Sequence, residues 1–326
     1  PTVSSAMLAS ALALTSAEPV ALAGTHQTLS GTTAVWQIPP SPRALLFLAH
    51  GCNHRPTDFW PPGEACPLCA ALPEEERITR HALHAGIALI AMAAADTDSR
   101  CWDFEQDGPA VKRALQMFVS AHALESLPIS ALGASSGGAF VLQLPQLLPL
   151  HTVVSQIMAI PPSMLTTHSA RPFPSTLFIH MKRDERTAAL AKRCVRKLAQ
   201  DGVQAAEIEH APLRVEPRLF LRISGMDLPT ATRLHQALQH AQLLDDDGFL
   251  LQDPRRSHWR SAVIANRSLW RQLPGVRPGE HDTLQPDESP VAEVLNVAWA
   301  MHEITSDHNR AILHWIVHGG HGKPEL

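Results

Sequence analysis

The chain has 326 residues, of which 45% are hydrophobic, and a formal net charge of −4 at pH 7. This length is sufficient for one large α/β domain that buries a sizeable core. The slightly acidic balance and the scattered basic residues give no reason to expect a nucleic-acid partner or a stable insertion into a membrane. The oligomeric state stays open at this point.

The first 24 residues are mostly apolar. The stretch from Met7 to Gly24 carries one charge, that of Glu18. It is too short and too interrupted to predict a membrane span. We expect segment 1–24 to be the remnant of a targeting segment, although no basic region precedes it. The rest of the chain, residues 25–326, is expected to form a single domain.

Apolar runs and amphipathic runs alternate through the first two thirds of the chain. The predicted strands are 25–38 (a hairpin around Gly31), 44–49, 86–94, 129–132, 153–160, 175–181 and 204–209. The predicted helices are 109–122, 139–147 and 185–200. This alternation predicts an α/β fold, with a mostly parallel central sheet and helices on both of its faces.

The alternation stops after Ala211. The pattern then predicts a helix over 230–244, a turn at 245–248, a short strand at 249–251, and helices over 291–301 and 305–318. Thr305 or Ser306 is expected to cap the last helix, and Gly319 to end it. We interpret residues 211–300 as an insertion that packs at the carboxyl ends of the strands and helps to shape a substrate site, since α/β folds place their specificity there.

Residues 133–137 read Gly-Ala-Ser-Ser-Gly and follow the predicted strand 129–132. A G-x-S-x-G pattern between a strand and a helix is typical of a nucleophile elbow. A serine presented from a sharp turn needs small neighbours, and the backbone N–H of the next residue, Ser136, is then placed to bind an oxyanion. We therefore predict that Ser135 is a nucleophile. The alternative is an ordinary glycine-rich turn.

A serine nucleophile needs a base, and the base needs an acid that orients it. Asp184 follows the strand 175–181 directly and is the candidate acid. Asp184 is also a good N-cap for the helix that follows, and the two roles are compatible. Among the nineteen histidines, His210 follows the last predicted strand of the series and His302 precedes the final helix. Position leaves both of them open as the base.

The loop after the strand 44–49 is expected to supply a second donor to the oxyanion. Gly51 lets the chain turn there, and the backbone N–H of Cys52 or of Asn53 is the candidate donor. A His-Gly pair at the end of an apolar strand, upstream of a G-x-S-x-G motif, is more specific than either pattern alone. The predicted oxyanion hole therefore consists of Cys52 and Ser136.

Three residues close to this loop are candidates for the substrate pocket, namely Asn53, Phe59 and Trp60. The two aromatic side chains suit an acyl group because they are large and apolar. The alternative is that they pack in the protein core.

Four of the five cysteines lie in loop-like sequence of the first third, namely Cys52, Cys66, Cys69 and Cys101. The C-x-x-C at 66–69 lacks the second pair that a zinc site requires, and it lies in a Pro-rich loop rather than at a strand-to-helix turn. We predict at least one disulfide among these four cysteines, with Cys194 free; reduced thiols are the alternative. Disulfides favour the secretory pathway or an organelle lumen over the cytoplasm.

Several stretches between about residues 44 and 318 carry a resemblance to a known family. They are GCNH (51–54), DFW (58–60), CPLC (66–69), LPEE (72–75), RCW (100–102), ALGASSGG (131–138), TLFIHM (176–181) with Asp184, and HEITS (302–306). In these stretches the chain resembles a group of plant and algal α/β-hydrolase superfamily proteins. The resemblance implies the α/β-hydrolase fold and a set of serine, histidine and acid residues of the serine-hydrolase type.

The resemblance also bears on the choice of base and acid. It favours His302 over His210, because the HEITS stretch belongs to the pattern of the group. In that group the segment before the acid reads His-Met-Pro-Lys-Asp. Here Lys182 and Arg183 replace Pro-Lys, and Asp184 stays in place.

These patterns predict a serine hydrolase that cleaves a carboxylic ester or a related acyl compound through an acyl-enzyme. The expected partner is a small-molecule acyl substrate, with no cofactor and no metal. The alternatives are a peptidase or thioesterase with the same residues, or a non-catalytic ligand-binding protein of this fold, although such proteins usually lose one of the three residues. The sequence leaves the acyl and leaving groups open.

Overall fold

An eight-stranded sheet organises the part of the chain that the computed structural model describes, which is residues 20–167, 171–274 and 289–321. The strands are β1 (Thr25–Leu29), β2 (Thr32–Gln37), β3 (Ala44–Ala49), β4 (Ile87–Met92), β5 (Ile129–Ala134), β6 (Thr152–Gln156), β7 (Ser175–Met181) and β8 (Ala205–His210). Their order in the sheet is β1-β2-β4-β3-β5-β6-β7-β8. The first two strands pair in antiparallel fashion, β2 is antiparallel to β4, and the remaining strands run parallel.

The helices are α1 (Pro73–His84), α2 (Phe104–Ala121), α3 (Ser136–Gln143), α4 (Glu185–Gln200), α5 (Leu228–His240), α6 (Trp259–Ala265), α7 (Arg267–Trp270), α8 (Pro290–Trp299) and α9 (Asn309–His318). Within the described ranges, none of these helices is both long enough and apolar enough to cross a membrane. Residues 1–19 of the expected targeting remnant lie outside the described residues.

The central strand β3 explains why helices cover both faces of the sheet. All six of its residues are apolar and buried. Successive side chains of a strand point to opposite faces. Accordingly, Phe47 packs in one apolar cluster with Leu115 of α2, while Leu46 packs in another with Trp315 of α9. An apolar strand of this kind therefore needs helices on both sides.

The order of the strands, the antiparallel β2 and the sharp turn between β5 and α3 together are the arrangement of an α/β-hydrolase fold. The prediction of this fold is confirmed. Because β3, β5, β6 and β7 run parallel, their carboxyl ends lie along one edge of the sheet, and side chains that follow them meet there.

Three of the differences between the predicted elements and the structure have a local physical cause. The strand predicted over 153–160 ends at Gln156, because Ile157 takes a positive φ of 51°. No strand forms at 249–251, where Leu250 makes only an isolated bridge to Leu244. The last helix begins at Asn309 rather than near Ser306, whose backbone N–H and side chain both bind the Glu74 carboxylate instead.

Helix α1 was not predicted. It begins with a proline and three glutamates, Glu74, Glu75 and Glu76, all of which are buried. Buried acidic residues do not give the apolar periodicity that marks a helix in a sequence. The helix is held in place by polar contacts to distant segments, such as the ion pair between Glu74 and Arg222.

The described part of segment 211–300 forms an apolar cluster of its own. Phe220, Leu234, Trp259 and Leu295 are fully or almost fully buried within it. Residues 275–288 of this segment lie outside the described residues. The segment therefore has its own packed core, and its role at the substrate site stays a prediction.

Candidate active site

Ser135 lies at the turn between β5 and α3 in a strained backbone conformation, with φ 53° and ψ −120°. Non-glycine residues rarely adopt a positive φ, and such strain concentrates at functional sites. The flanking glycines permit the turn. A Cβ at Gly133 would lie 2.1 Å from the carbonyl oxygen of Gly137, and a Cβ at Gly137 would lie 2.3 Å from that of Ala49. No larger residue fits at either position without a shift of the backbone.

Three of the sequence-predicted residues lie in one hydrogen-bonded series. The Oγ of Ser135 is 2.9 Å from Nε2 of His302, and Nδ1 of His302 is 3.0 Å from Oδ2 of Asp184. Asp184 follows β7, and its other carboxylate oxygen also caps α4 by accepting a hydrogen bond from the backbone N–H of Thr187. Both roles considered for Asp184 are therefore present in the geometry.

The environment of Asp184 keeps it ionised. Burial opposes its charge, but hydrogen bonds from His302 and Thr187 hold the pKa of the Asp184 carboxyl below its usual range. A carboxylate at this position fixes the imidazole with its Nδ1 protonated and its Nε2 free to accept a proton from Ser135. The arrangement is chemically competent for general-base activation of a serine.

His210, the alternative base, lies elsewhere. It is buried, with Nε2 3.3 Å from the carbonyl oxygen of Val297 and Nδ1 3.3 Å from Nε2 of His308. Burial lowers the pKa of His210, which favours its neutral form. The structure therefore brings His302, and not His210, to Ser135.

The loop after β3 lies against the elbow. A Cβ at Gly51 would lie 3.6 Å from the Cβ of Ser135, and Cys52 and Asn53 line the cavity in front of that serine. The backbone N–H of Asn53 is already used, since it donates to the carbonyl oxygen of Ser99 at 2.8 Å. Within the described ranges, the backbone N–H of Cys52 donates to no other backbone group outside the helices and strands. Of the two candidates, Cys52 thus has the N–H that is available to an oxyanion.

Two disulfides are present, and the cysteine prediction is confirmed. Cys52 is bonded to Cys101, Cys66 is bonded to Cys69, and Cys194 is free and buried. Burial raises the pKa of the Cys194 thiol to about 11, so that the thiol is inert as a nucleophile. Cys52, whose backbone N–H is a candidate oxyanion donor, is thus itself one end of a disulfide.

The Cys52–Cys101 bridge is reinforced by hydrogen bonds between the same two loops. The indole Nε1 of Trp102 donates to the carbonyl oxygen of His50 at 2.9 Å, and its backbone N–H donates to Oγ of Ser136 at 3.3 Å. Both candidate oxyanion donors are thus connected to the loop that carries Cys101.

A cavity of about 230 Å³ opens in front of Ser135. It is lined by Gly51, Cys52, Asn53, His54, Glu75, Ala134, Ser135, Ile157, Arg255, His302, Glu303 and Ile304. The predictions for Phe59 and Trp60 were wrong, because both side chains are fully buried in the core and do not line the cavity. The Trp60 indole donates a hydrogen bond to Gln37, which satisfies its N–H there.

The cavity has charged walls that the sequence analysis missed. His54 and Glu75 lie on one part of its surface, and Arg255 and Glu303 form an ion pair of 2.9 Å on another. Burial opposes the charge of His54, but the nearby carboxylates of Asp58 and Glu75 raise its pKa to about 10. His54 and Glu75 belong to stretches that carry the family resemblance, and this was the signal available for them. No pattern in the sequence points to Arg255.

No protein-family model matches the chain, and no curated protein is significantly similar to it. Among solved structures, the chain is similar to a dienelactone hydrolase from Anabaena variabilis (16% identity, 67% of this chain and 98% of the other, TM-score 0.44). It is also similar to an esterase/lipase from an uncultured bacterium (11% identity, 67% of this chain and 84% of the other, TM-score 0.44). A third similar structure is that of a thermostable carboxyl esterase from Bacillus coagulans (10% identity, 59% of this chain and 90% of the other, TM-score 0.43). At such low similarity, the fold assignment rests on the strand order and the turn after β5.

Proposed function

We propose that this protein is a serine hydrolase that cleaves a carboxylic ester or a related acyl compound. The observation that carries the proposal is the hydrogen-bonded series from Ser135 through His302 to Asp184, with distances of 2.9 and 3.0 Å. A nucleophile, a base and an orienting acid in this geometry form a catalytic triad. The resemblance to plant and algal α/β-hydrolase superfamily proteins supports the same assignment.

In the proposed reaction, the Oγ of Ser135 attacks the acyl carbon while Nε2 of His302 takes the serine proton. Asp184 orients the imidazole and stabilises the imidazolium that forms. The backbone N–H groups of Cys52 and Ser136 stabilise the negative charge on the acyl oxygen. His302 then gives its proton to the leaving alkoxide, which departs and leaves an acyl-enzyme.

Water completes the cycle. His302 takes a proton from a water molecule, the hydroxide attacks the acyl carbon, and Ser135 leaves with the proton returned by His302. The products are a carboxylic acid and an alcohol, and no cofactor takes part. A small-molecule substrate is consistent with a cavity of about 230 Å³.

The disulfides support a further part of the proposal, which concerns location. Two bridges in one chain are typical of proteins that fold in an oxidising environment. We therefore propose the secretory pathway or an organelle lumen rather than the cytoplasm.

The test is hydrolysis of p-nitrophenyl acetate by the wild-type protein and by three variants. Ser135→Ala and Asp184→Asn are expected to lower kcat by about a thousandfold or more. Ser136→Ala keeps its backbone N–H and is expected to retain activity within about tenfold. Full activity in Ser135→Ala would refute the proposal. Parallel assays with an acyl thioester and a peptide anilide decide between an esterase, a thioesterase and a peptidase.

A further inference from the structure

The cavity in front of Ser135 has a polar wall that the proposed triad does not use. It consists of His54, Glu75, Arg255 and Glu303, which we call the charged wall. Binding pockets for alkyl acyl groups are lined mostly by apolar side chains. Four ionisable side chains on the surface of a small cavity therefore need a separate explanation.

Glu75 is the least satisfied member of this wall. Its residue is 2% exposed, and within the described ranges its Oε2 has no hydrogen-bond partner. The neighbouring Glu293 carboxyl hydrogen-bonds to the same side chain, so only part of the Glu75 carboxylate lacks a donor. The nearest cation, Nδ1 of His54, is 3.8 Å from Oε1, beyond hydrogen-bonding distance. A buried carboxylate without a donor is costly unless a ligand supplies one.

The other three members have partners of their own. His54 lies 3.5 Å from the carboxylate of Asp58, and Arg255 and Glu303 are paired with each other. The wall thus presents both cations and carboxylates around the unpartnered Oε2 of Glu75. An anionic ligand would meet Glu75 and Glu303, and a cationic ligand would meet His54 and Arg255.

A neutral hydroxyl group suits such a mixed surface because it donates and accepts at once. We propose that the substrate is a small uncharged ester that carries a hydroxyl group, and that this hydroxyl donates to Glu75 and accepts from the neighbouring cation His54. The inference rests on the proposed function and gives it a substrate class. A purely alkyl ester would enclose Oε2 of Glu75 without a donor, and an enzyme rejects an analogue that leaves its buried polar groups unpaired.

The experiment compares two pairs of esters that differ by one hydroxyl group, with release of acid followed by titration. Methyl 3-hydroxybutyrate and methyl butyrate place the hydroxyl on the acyl side. 2-Hydroxyethyl butyrate and ethyl butyrate place it on the alcohol side. Monomethyl succinate and methyl 3-aminobutyrate supply an anion and a cation of similar size. We expect kcat/KM to be about tenfold higher for the hydroxylated member of at least one pair.

Glu75→Leu removes the acceptor. The ratio of kcat/KM for the hydroxylated ester to kcat/KM for the plain ester is therefore expected to fall close to one. Glu75→Gln keeps the shape and is expected to lower the ratio severalfold, since an amide oxygen is a weaker acceptor than a carboxylate. The matched control is Glu76→Gln on the same helix, whose carboxylate binds Arg80 and Ser224 and does not line the cavity. This control is expected to keep the wild-type ratio.

Labelling of Ser135 by a fluorophosphonate reports that each variant is folded. If Glu75→Leu is not labelled, the ratio in Glu75→Gln decides. Three results with a labelled wild-type enzyme would overturn this inference and leave the proposed function standing. The enzyme could show no preference for the hydroxylated ester in either pair, or it could prefer a charged ester. The third result is a hydroxyl preference that survives in the Glu75 variants. A protein that is neither labelled nor active on any ester would overturn the proposed function itself, and this inference with it.

Discussion

The guanidinium group of Arg255 donates a hydrogen bond to the carbonyl oxygen of His302, with Nη2 and the oxygen 3.0 Å apart. Its Nη1 donates to the carbonyl oxygen of Met301 at the same distance, and Nη2 also binds the carboxylate of Glu303. His302 has a φ of 47°, which few residues other than glycine adopt without support from their surroundings. Arg255 therefore fixes the turn that carries the proposed base, and it does so from the segment 211–300.

The first prediction follows from this contact. Arg255→Ala is expected to lower kcat by about ten- to a hundredfold with a smaller change in KM, because a misplaced His302 slows the chemistry. Arg255→Lys keeps the charge but loses the planar fork, so it is expected to recover only part of the rate. Steady-state kinetics with p-nitrophenyl acetate measure both variants.

The exposed neighbour Arg256 provides the control for this prediction. Arg256→Ala is expected to behave as the wild type. Equal kcat values for the wild type and Arg255→Ala would show that the contact does not position the base.

The second prediction concerns the two disulfides. Cys101→Ser opens the bridge that ties Cys52 to the loop of Trp102, and it is expected to lower kcat because the oxyanion donors lose their fixed position. The bridge closes a loop of 49 residues, for which the chain-entropy model gives about 4 kcal/mol of stabilisation. The unfolding temperature and the kcat of Cys101→Ser are therefore both expected to be lower than those of the wild type.

The bridge between Cys66 and Cys69 is the matched control, since its sequence separation is only 3. The double variant Cys66→Ser, Cys69→Ser is expected to lose less than about 2 kcal/mol and to keep its kcat. If the two bridges affected kcat equally, the disulfide at Cys52 would have no special role in the site.

The third prediction concerns pH and Glu293. Burial and the charge of Glu75 raise the pKa of the Glu293 carboxyl well above its ordinary value of 4.5. A group whose folded pKa is raised contributes stability that is fully present below pH 4.5 and is lost as the pH rises through the folded pKa. The free energy of unfolding of the wild-type protein is therefore expected to decline as the pH rises above 4.5.

Glu293→Gln cannot ionise in the unfolded state, so its free energy of unfolding is expected to decline less over the same interval. Urea denaturation of both proteins at a series of pH values above 4.5 measures the difference. An equal decline in both proteins would mean that Glu293 is ionised in the folded state.

The sequence was most informative where the chain is locally determined. The apolar strands β3 and β5, the glycines around Ser135 and the position of Asp184 after β7 follow from periodicity and turn chemistry. The cysteine pattern led to a correct disulfide prediction because a C-x-x-C without a second pair has few other uses.

Other features depend on contacts between distant segments, which no local pattern reveals. Helix α1 buries glutamates against Arg222 and Ser306, and those partners lie far away in the chain. Trp60 looked like a pocket residue because a loop aromatic can either pack or bind, and only the fold decides. Arg255 reaches its position through the packing of the whole segment 211–300.

Peptide mass spectrometry after fluorophosphonate labelling identifies the nucleophilic residue of the protein. We expect one label per chain, on Ser135, which is absent in Ser135→Ala and much slower to form in His302→Ala because the base is missing. A label on Ser136, or a label that persists in Ser135→Ala, would show that Ser135 is not the nucleophile.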